Sequence, residues 1–370
     1  MSKTAVARLS IRTAALKENM RLLQSCGSAQ SQLTPVLKAD CYGMGLKALA
    51  PHFWQQGARL YYVAQFDEGL LLKSILPQAR IAVLSGLVGA SVQDFWQAGL
   101  EPVLNSLSQV QRYLAAIKAA RKPNYQLFIH ADTGMNRLGL DRQEQELLLQ
   151  ENLEAFDVVL LSHYACADEP EQPLNARQEQ RFATLAELLK SKVGTLTRSM
   201  ANSAALLSRR PSASFEHLRP GLSLYGALPF AYGEQINGRL QLEPLACLEA
   251  MILQLRFVVK GESIGYGASF VAPKDMRIAL LALGYADGWL RAGLGREVQV
   301  KGQKAAIIGR VSMDSMAIDV TNIANLTEGD WAQLFWARGD IERLSAQSGT
   351  IANEWMTNLG ARYQRLYLDE

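Results

Sequence analysis

Val36-Leu37-Lys38-Ala39-Asp40-Cys41-Tyr42-Gly43-Met44-Gly45 puts a lysine at the end of a short apolar run that begins at Thr34-Pro35. The run reads as a buried strand, and Gly43 and Gly45 read as the turn into a helix. An amine at the C-terminal mouth of a buried strand is unusual, because an unpaired buried charge is costly. Forming a Schiff base removes that charge, and desolvation by itself lowers the pKa of such an amine. The plain alternative is a surface lysine just past a strand end, and the stretch alone leaves both readings open.

Working outward, short apolar runs alternate with helix-like segments. Thr34–Leu37 is followed by candidate strands at Tyr61–Ala64, Ile81–Leu84, Pro102–Asn105, Gln126–Ala131, Asp157–Ser162, Ser199–Asn202 and Leu218–Pro220. Between them, Gln180–Leu189 sets Phe182, Leu185, Leu188 and Leu189 on one helical face, and Asp141–Ala155 reads as a second outer helix. Eight strand-then-helix units in about 235 residues match a (β/α)8 TIM-type barrel. A doubly wound open sheet is the competing arrangement, since alternation does not by itself close a ring.

After about Gly238 the period changes. Alternating runs at Ala250–Val259, Met276–Leu283, Glu297–Val300, Lys304–Ile308, Met316–Val320 and Trp331–Trp336 predict a mainly antiparallel β domain. The division falls in the polar, glycine-rich Tyr232–Gly238, giving a barrel over 1–235 and a β domain over 236–370.

A barrel places reacting groups at the C-terminal ends of its strands. The unusual polar residues fall there: Lys38 after the first strand, His130 and Arg137 with the fifth, His163 with the sixth, Ser203 with the seventh, and Arg219 with the eighth. Ser203 and the Gly221-Leu222 backbone lie in the loops that commonly hold phosphate in barrels. Each has a plain reading alone: Arg137 as a surface arginine, His163 as a satisfied strand-end histidine, Ser203 as part of a helix cap, Arg219 as half of an ion pair. Their coincidence at five strand ends is harder to explain that way.

Composition narrows the classes. The 370 residues carry 38 basic and 35 acidic side chains, net +3, with 49% hydrophobic and 20% charged residues. That balance gives no argument for nucleic acid or an anionic membrane. There is no signal-peptide h-region and no apolar run of membrane-helix length. Cys26, Cys41, Cys166 and Cys247 form no C-x-x-C pair, so reduced thiols in a cytoplasmic protein are expected. The four histidines, His52, His130, His163 and His217, have no metal-ligand spacing.

The opening stretch closely resembles the cofactor-lysine segment of alanine racemases, Val-Lys-Ala-Asp-Ala-Tyr-Gly-His-Gly, with Met44 in place of the histidine. Asp132–Gly139, His163-Tyr164, Ala201–Ala205 and Arg219–Gly226 resemble further motifs of that family. So do Ile264–Phe270, Leu283–Trp289 and Gly309–Asp314 in the second half, which taken singly read as hairpin turns with a packed aromatic.

The resemblance implies pyridoxal 5'-phosphate bound to Lys38, with its phosphate held by Tyr42, Ser203, Gly221 and Leu222. It implies Arg219 at the pyridine nitrogen, His163 beside the ring, and Arg137 near the phenolate oxygen and the substrate carboxylate. Tyr266 corresponds to the second base, Met313 to a substrate-carboxylate contact, and Tyr285 to the entrance. Lys38 and Tyr266 would serve opposite faces of Cα in reversible L-/D-alanine interconversion, supplying D-alanine for peptidoglycan or degrading it. Free lysine and tyrosine titrate near ~10.4 and ~10, so both bases need cationic neighbours to work at neutral pH. An arginine at the pyridine nitrogen cannot give up its proton, which keeps the ring a weaker electron sink and favours return of the proton to Cα. A homodimer, with the β domain of one subunit completing the barrel site of the other, and a strand at Ala5–Ile11 returning to the β domain are likewise implied.

Two departures bear on the site. His130 stands where many members have a carbamate-modified lysine that orients the arginine. Asn353 stands where the family has a phosphate-binding tyrosine that narrows the pocket, so a wider substrate range that includes serine is an alternative. A fold-related decarboxylase is a second alternative, opposed by Arg219 where those enzymes carry glutamate.

Overall fold

The computed structural model describes residues 5–120, 126–208, 215–233, 241–291 and 296–369. It divides into two compact units, one spanning Lys17–Leu224 and the other built from the described parts of Met1–Leu16, Tyr225–Gly233 and Leu242–Glu370.

In the Lys17–Leu224 unit, six parallel strands run in sequence order: Leu60–Val63, Arg80–Val83, Glu101–Leu104, Gln126–His130, Leu153–Leu161 and Val193–Ser199. Gln32–Leu33 pairs in parallel with His217–Leu218. Backbone bonds then close the ring. Leu37 N–H donates to Tyr62 (2.8 Å) and Tyr62 N–H to Pro35 (2.9 Å) on one side of the first strand. Thr34 N–H donates to Leu218 (2.8 Å) and Val36 N–H to Pro220 (3.0 Å) on the other, and Arg219 N–H reaches Ala201 at 2.9 Å. An open sheet has no such return pairing, so the barrel is the arrangement adopted.

The barrel interior is filled by Val36, Leu60, Tyr62, Ala82, Val103, Phe128, Val159 and Leu161, drawn from six successive strands. Inward side chains stacked this way make a packed core rather than a pore. Tyr62 and Phe128 meet edge to face, with ring centroids 6.2 Å apart.

Three local expectations differ from the structure: the strand expected at Ser199–Asn202 runs instead over Val193–Ser199, and Asn202 caps the helix that follows. The regular part of the first strand is Gln32–Leu33 rather than Thr34–Leu37, because Pro35 has no N–H to continue a ladder. Asp141–Ala155 is not one helix: Arg142–Leu148 is helical, capped by Asp141, and the next strand already begins at Leu153. That strand is longer than its apolar core suggests because its start pairs with Val193 across an irregularity.

The second unit is a β barrel. Met276–Leu281, Met316–Asp319, Gln303–Ile308, Glu297–Val300, Trp331–Phe335 and Ala246–Val258 follow one another antiparallel, and Ala246–Val258 pairs back onto Met276–Leu281. Ala7–Arg12 lies antiparallel on Ala246–Val258 and parallel to Gln364–Leu368. Tyr225–Gly233 groups with this unit, and residues 234–238 of the expected boundary lie outside the described residues. No helix among the described residues is long and apolar enough to cross a membrane.

Candidate active site

Lys38 opens a tight turn with an unusual backbone. Ala39, Asp40, Cys41 and Tyr42 all take positive φ, between 51° and 56°, before Gly43 at 81°. Each non-glycine residue in that left-handed region costs about 1–2 kcal/mol, so the surroundings must hold the turn. Ala39 N–H donates to Glu68 Oε1 at 2.7 Å, while Glu68 Oε2 accepts from Ala64 (2.7 Å) and Gln65 (3.1 Å) at the start of the helix Phe66–Ile75. Asp40 Oδ1 accepts from Leu46 N–H at 2.6 Å, at the start of the next helix. The turn fixes where the lysine amine points. Burial, and then the Arg137 charge, hold that amine below the usual lysine range, with Glu68 opposing.

Arg219 is 6% exposed. Its guanidinium donates to Ser199 Oγ and to the Ser162 carbonyl and lies over the Tyr62 ring, 5.7 Å from the centroid. No carboxylate pairs with it among these contacts, and burial lowers its pKa. A buried cation among neutral partners suits a neutral acceptor such as a ring nitrogen. His163 lies in the same cluster. Burial first, then Arg219, Arg137, His130 and Lys38, hold it well below the ordinary histidine range, so it is a neutral imidazole. Gln178 fixes its backbone by donating to the His163 carbonyl at 2.9 Å.

Arg137 is exposed on a loop that is itself rigid. Asp132 Oδ1 accepts from Gly134 (2.8 Å) and Met135 (2.9 Å), and Gln145 Nε2 donates to the Asp132 (2.9 Å) and Leu140 (2.7 Å) carbonyls. Gly139, at φ 110°, lies so close to the Asp132 amide that a Cβ would sit 2.8 Å from it.

On the other side of the mouth, Ser203 Oγ accepts from Gly221 (3.1 Å) and Ser223 (3.3 Å) N–H. Gly221 meets the Tyr42 hydroxyl so closely that a Cβ there would be 2.3 Å from Oη. Tyr42 is buried, and burial pushes its phenol up, so it stays an O–H donor. Leu222 is buried beside it.

Residues 11–229 match the family described as Alanine racemase, N-terminal domain, and residues 245–367 match Alanine racemase, C-terminal domain. The chain belongs to the alanine racemase family. It is similar to the alanine racemase of Methylobacterium sp. (strain 4-46), 38% identical over 98% of both chains. It is similar also to that of Rhizobium meliloti (strain 1021), 34% identical over 99% of this chain and 97% of the relative. Among solved structures it resembles the Bartonella henselae alanine racemase with covalently bound pyridoxal phosphate (TM-score 0.89, 32% identity, 98% and 100% covered). It also resembles the biosynthetic enzyme of Pseudomonas aeruginosa (TM-score 0.87, 31% identity, 98% and 99% covered).

Alanine racemases depend on pyridoxal phosphate, and the residues present fit it. Gly221 lets the Tyr42 hydroxyl come close to its backbone beside Ser203 Oγ, where any side chain at Gly221 would displace that hydroxyl, Arg219 offers a buried donor without a carboxylate, and Lys38 supplies a desolvated amine.

The remaining expected residues lie in the β barrel unit. Tyr266 sits on a single 3-10 turn between Gly265 and Gly267, both at positive φ, and is 66% exposed. It is therefore no packed hairpin aromatic. Met313 is 53% and Tyr285 43% exposed. Their loops are tied together, since Tyr285 N–H donates to the Ser312 carbonyl (3.0 Å) and Ala286 N–H to that of Met313 (3.0 Å). Arg362 clamps both loops through Asp287 (2.6 Å) and Asp314 (2.7 Å). Asn353 lies on the helix Ala352–Thr357, partly buried.

Reading strand ends alone passed over Glu68, Asn105, Ser162 and Ser199. Glu68 had a local signal, three residues after the cap residue Gln65. The other three act through contacts from distant strands, and no local pattern marks them.

Proposed function

We propose that this chain interconverts L- and D-alanine by two bases, Lys38 and Tyr266, on opposite faces of Cα. When bound, pyridoxal phosphate delocalises the charge left when the α-proton departs. Arg219, kept protonated and held by Ser199 and Ser162, would donate to the ring nitrogen without transferring its proton. Tyr42, Ser203 and the Gly221 and Leu222 amides hold the phosphate. Arg137 and the Met313 backbone would orient the substrate carboxylate, His163 would lie against the ring, and Asn353 would take the part of a phosphate contact. Tyr266 takes the α-proton of L-alanine and Lys38 returns one to the opposite face; for D-alanine the roles reverse.

The observation that carries this reading is the desolvated Lys38 amine on its left-handed turn, in the same cluster as a buried arginine that no carboxylate among the described residues pairs with. A fold-related decarboxylase would pair the ring nitrogen with an acid. The exposed Tyr266 and Met313 suit a homodimer in which they complete the partner's site. Four reduced thiols suit a cytoplasmic location.

Racemisation of L- and D-alanine by the purified protein, followed by loss of optical rotation, tests the activity. Lys38→Ala should lose both directions. Tyr266→Phe should lose exchange of the L-alanine α-proton with deuterated solvent while D-alanine keeps it. Normal L-alanine exchange in Tyr266→Phe would refute the two-base assignment.

A further inference from the structure

At the mouth of the barrel, His130 ends the strand Gln126–His130, and its Nδ1 lies 2.8 Å from Asn105 Oδ1. The Asn105 side chain is 7% exposed and cannot be turned over. Its amide nitrogen donates to the Leu84 carbonyl at 2.8 Å and the Val103 carbonyl at 3.0 Å, and neither could donate to an oxygen placed there instead. The oxygen therefore faces His130. An amide oxygen only accepts, so the hydrogen of this bond belongs to Nδ1.

The cradle around Asn105 is built closely. Gln109 Oε1 accepts from the Asn105 (3.1 Å) and Leu87 (3.3 Å) amides. Gly86, at φ 71°, passes so near that a Cβ would lie 2.4 Å from Gln109 Oε1, 2.5 Å from the Val103 carbonyl and 2.9 Å from Asn105 Nδ2. The helix residue Gln109 and the loop residues Gly86 and Leu87 are thus arranged around one side chain, whose oxygen faces His130.

We infer that Asn105 and His130 form a positioning pair: Asn105 locks His130 as the Nδ1–H tautomer, leaving Nε2 as the ring's proton-free acceptor. The charged and titratable groups around the ring are Arg219, Arg137, His163 and Asp132. Burial and the two arginines push its pKa down to about 4, against Asp132, so the ring is neutral at working pH. The reversed tautomer would set a bare Nδ1 against the Asn105 oxygen, acceptor to acceptor, and would leave no acceptor at Nε2. The pair steadies Arg137 for the substrate carboxylate, and in this it rests on the function proposed above.

Two measurements test it. In holoenzyme labelled with 15N-histidine, with His130 assigned by comparison with His130→Gln, long-range proton–nitrogen spectra should show the hydrogen on Nδ1 from pH 6 to 8. A hydrogen on Nε2, or an imidazolium at pH 7, would overturn the inference. Asn105→Asp keeps the shape and the acceptor facing His130 but gives up the two donations to the Leu84 and Val103 carbonyls, a loss that does not vary with pH, and adds a negative charge, which raises the histidine pKa and favours imidazolium. Its KM for alanine, relative to the parent enzyme, should rise about tenfold at pH 6, the size of one lost charged hydrogen bond, and return toward the parent value by pH 9. A ratio of one throughout, or a loss independent of pH, would mean that Asn105 only supports the fold and would overturn the pair. Because the spectra read the tautomer without turnover, a parent enzyme that failed to racemise alanine would count against the proposed function and leave the tautomer assignment standing on its own.

Discussion

Replacing Gly221 by alanine puts a methyl group where the Tyr42 ring already lies. The new Cβ would be 2.3 Å from Tyr42 Oη, 2.8 Å from Cζ and 3.2 Å from Cε2, whereas ordinary contact begins at 3.4 Å. Gly221 is not among the residues at positive φ, so alanine suits the backbone and the whole effect falls on Tyr42. The hydroxyl must withdraw by about 1 Å, beyond the reach of a good hydrogen bond. Tyr42 is buried and rooted in the left-handed turn, so it cannot retreat without disturbing the mount of Lys38. If Tyr42 donates to the cofactor phosphate, the loss is one charge-assisted hydrogen bond, about 1.5–3 kcal/mol. That corresponds to a roughly 10- to 100-fold weaker affinity for pyridoxal phosphate. Titrating the apoenzyme with pyridoxal phosphate by absorbance measures it. Tyr42→Leu should weaken binding by a similar factor, and adding Gly221→Ala in that background should cost little more, because both act on one contact. Wild-type affinity in Gly221→Ala, or full additivity in the double variant, would refute the argument.

Other expectations concern acid stability, substrate range and the loops of the β barrel. Burial first, then Arg80 and Arg219, push His217 down to about 4, and its buried Nδ1 has no hydrogen-bond partner among the described residues. Since the folded pKa lies below the unfolded value of ~6.5, its contribution is complete above that pH and is lost as pH falls through the folded value, up to about 3 kcal/mol. His217→Gln should therefore flatten the fall in urea midpoint between pH 6.5 and 4; an unchanged slope would show that the ring titrates freely. Asn353→Tyr should cut serine turnover relative to alanine by about tenfold if a small side chain at this position widens the pocket, as expected for a change of a few atoms in a packed site, and an unchanged serine-to-alanine ratio would place the specificity elsewhere. Arg362→Gln leaves the buried Asp287 without its guanidinium partner and frees the loops of Tyr285 and Met313, so it should lower the melting temperature more than Asp314→Asn does; equal shifts would show that the clamp on Asp287 adds nothing.

Much of the barrel and its site was legible from the chain because two rules act locally. Strand-length apolar runs recur between amphipathic segments, and in a barrel the reacting residues follow the strands. Lys38, His163, Ser203 and Arg219 were singled out in this way, and the change of period after Gly238 announced the β unit. The rest depends on residues far apart in sequence. Ring closure rests on the bonds of Val36 and Thr34 to Pro220 and Leu218, which no periodicity reports. The partners of Arg219 come from the ends of two other strands, and the left-handed turn after Lys38 persists because Glu68, thirty residues on, caps it. Residue order alone determined which side chains stand at strand ends. Their electrostatics, tautomer and orientation were decided by tertiary structure, because burial and hydrogen bonds from other strands set in which direction an amine's pKa moves, whether an arginine has a carboxylate partner, and which nitrogen of a histidine faces an acceptor.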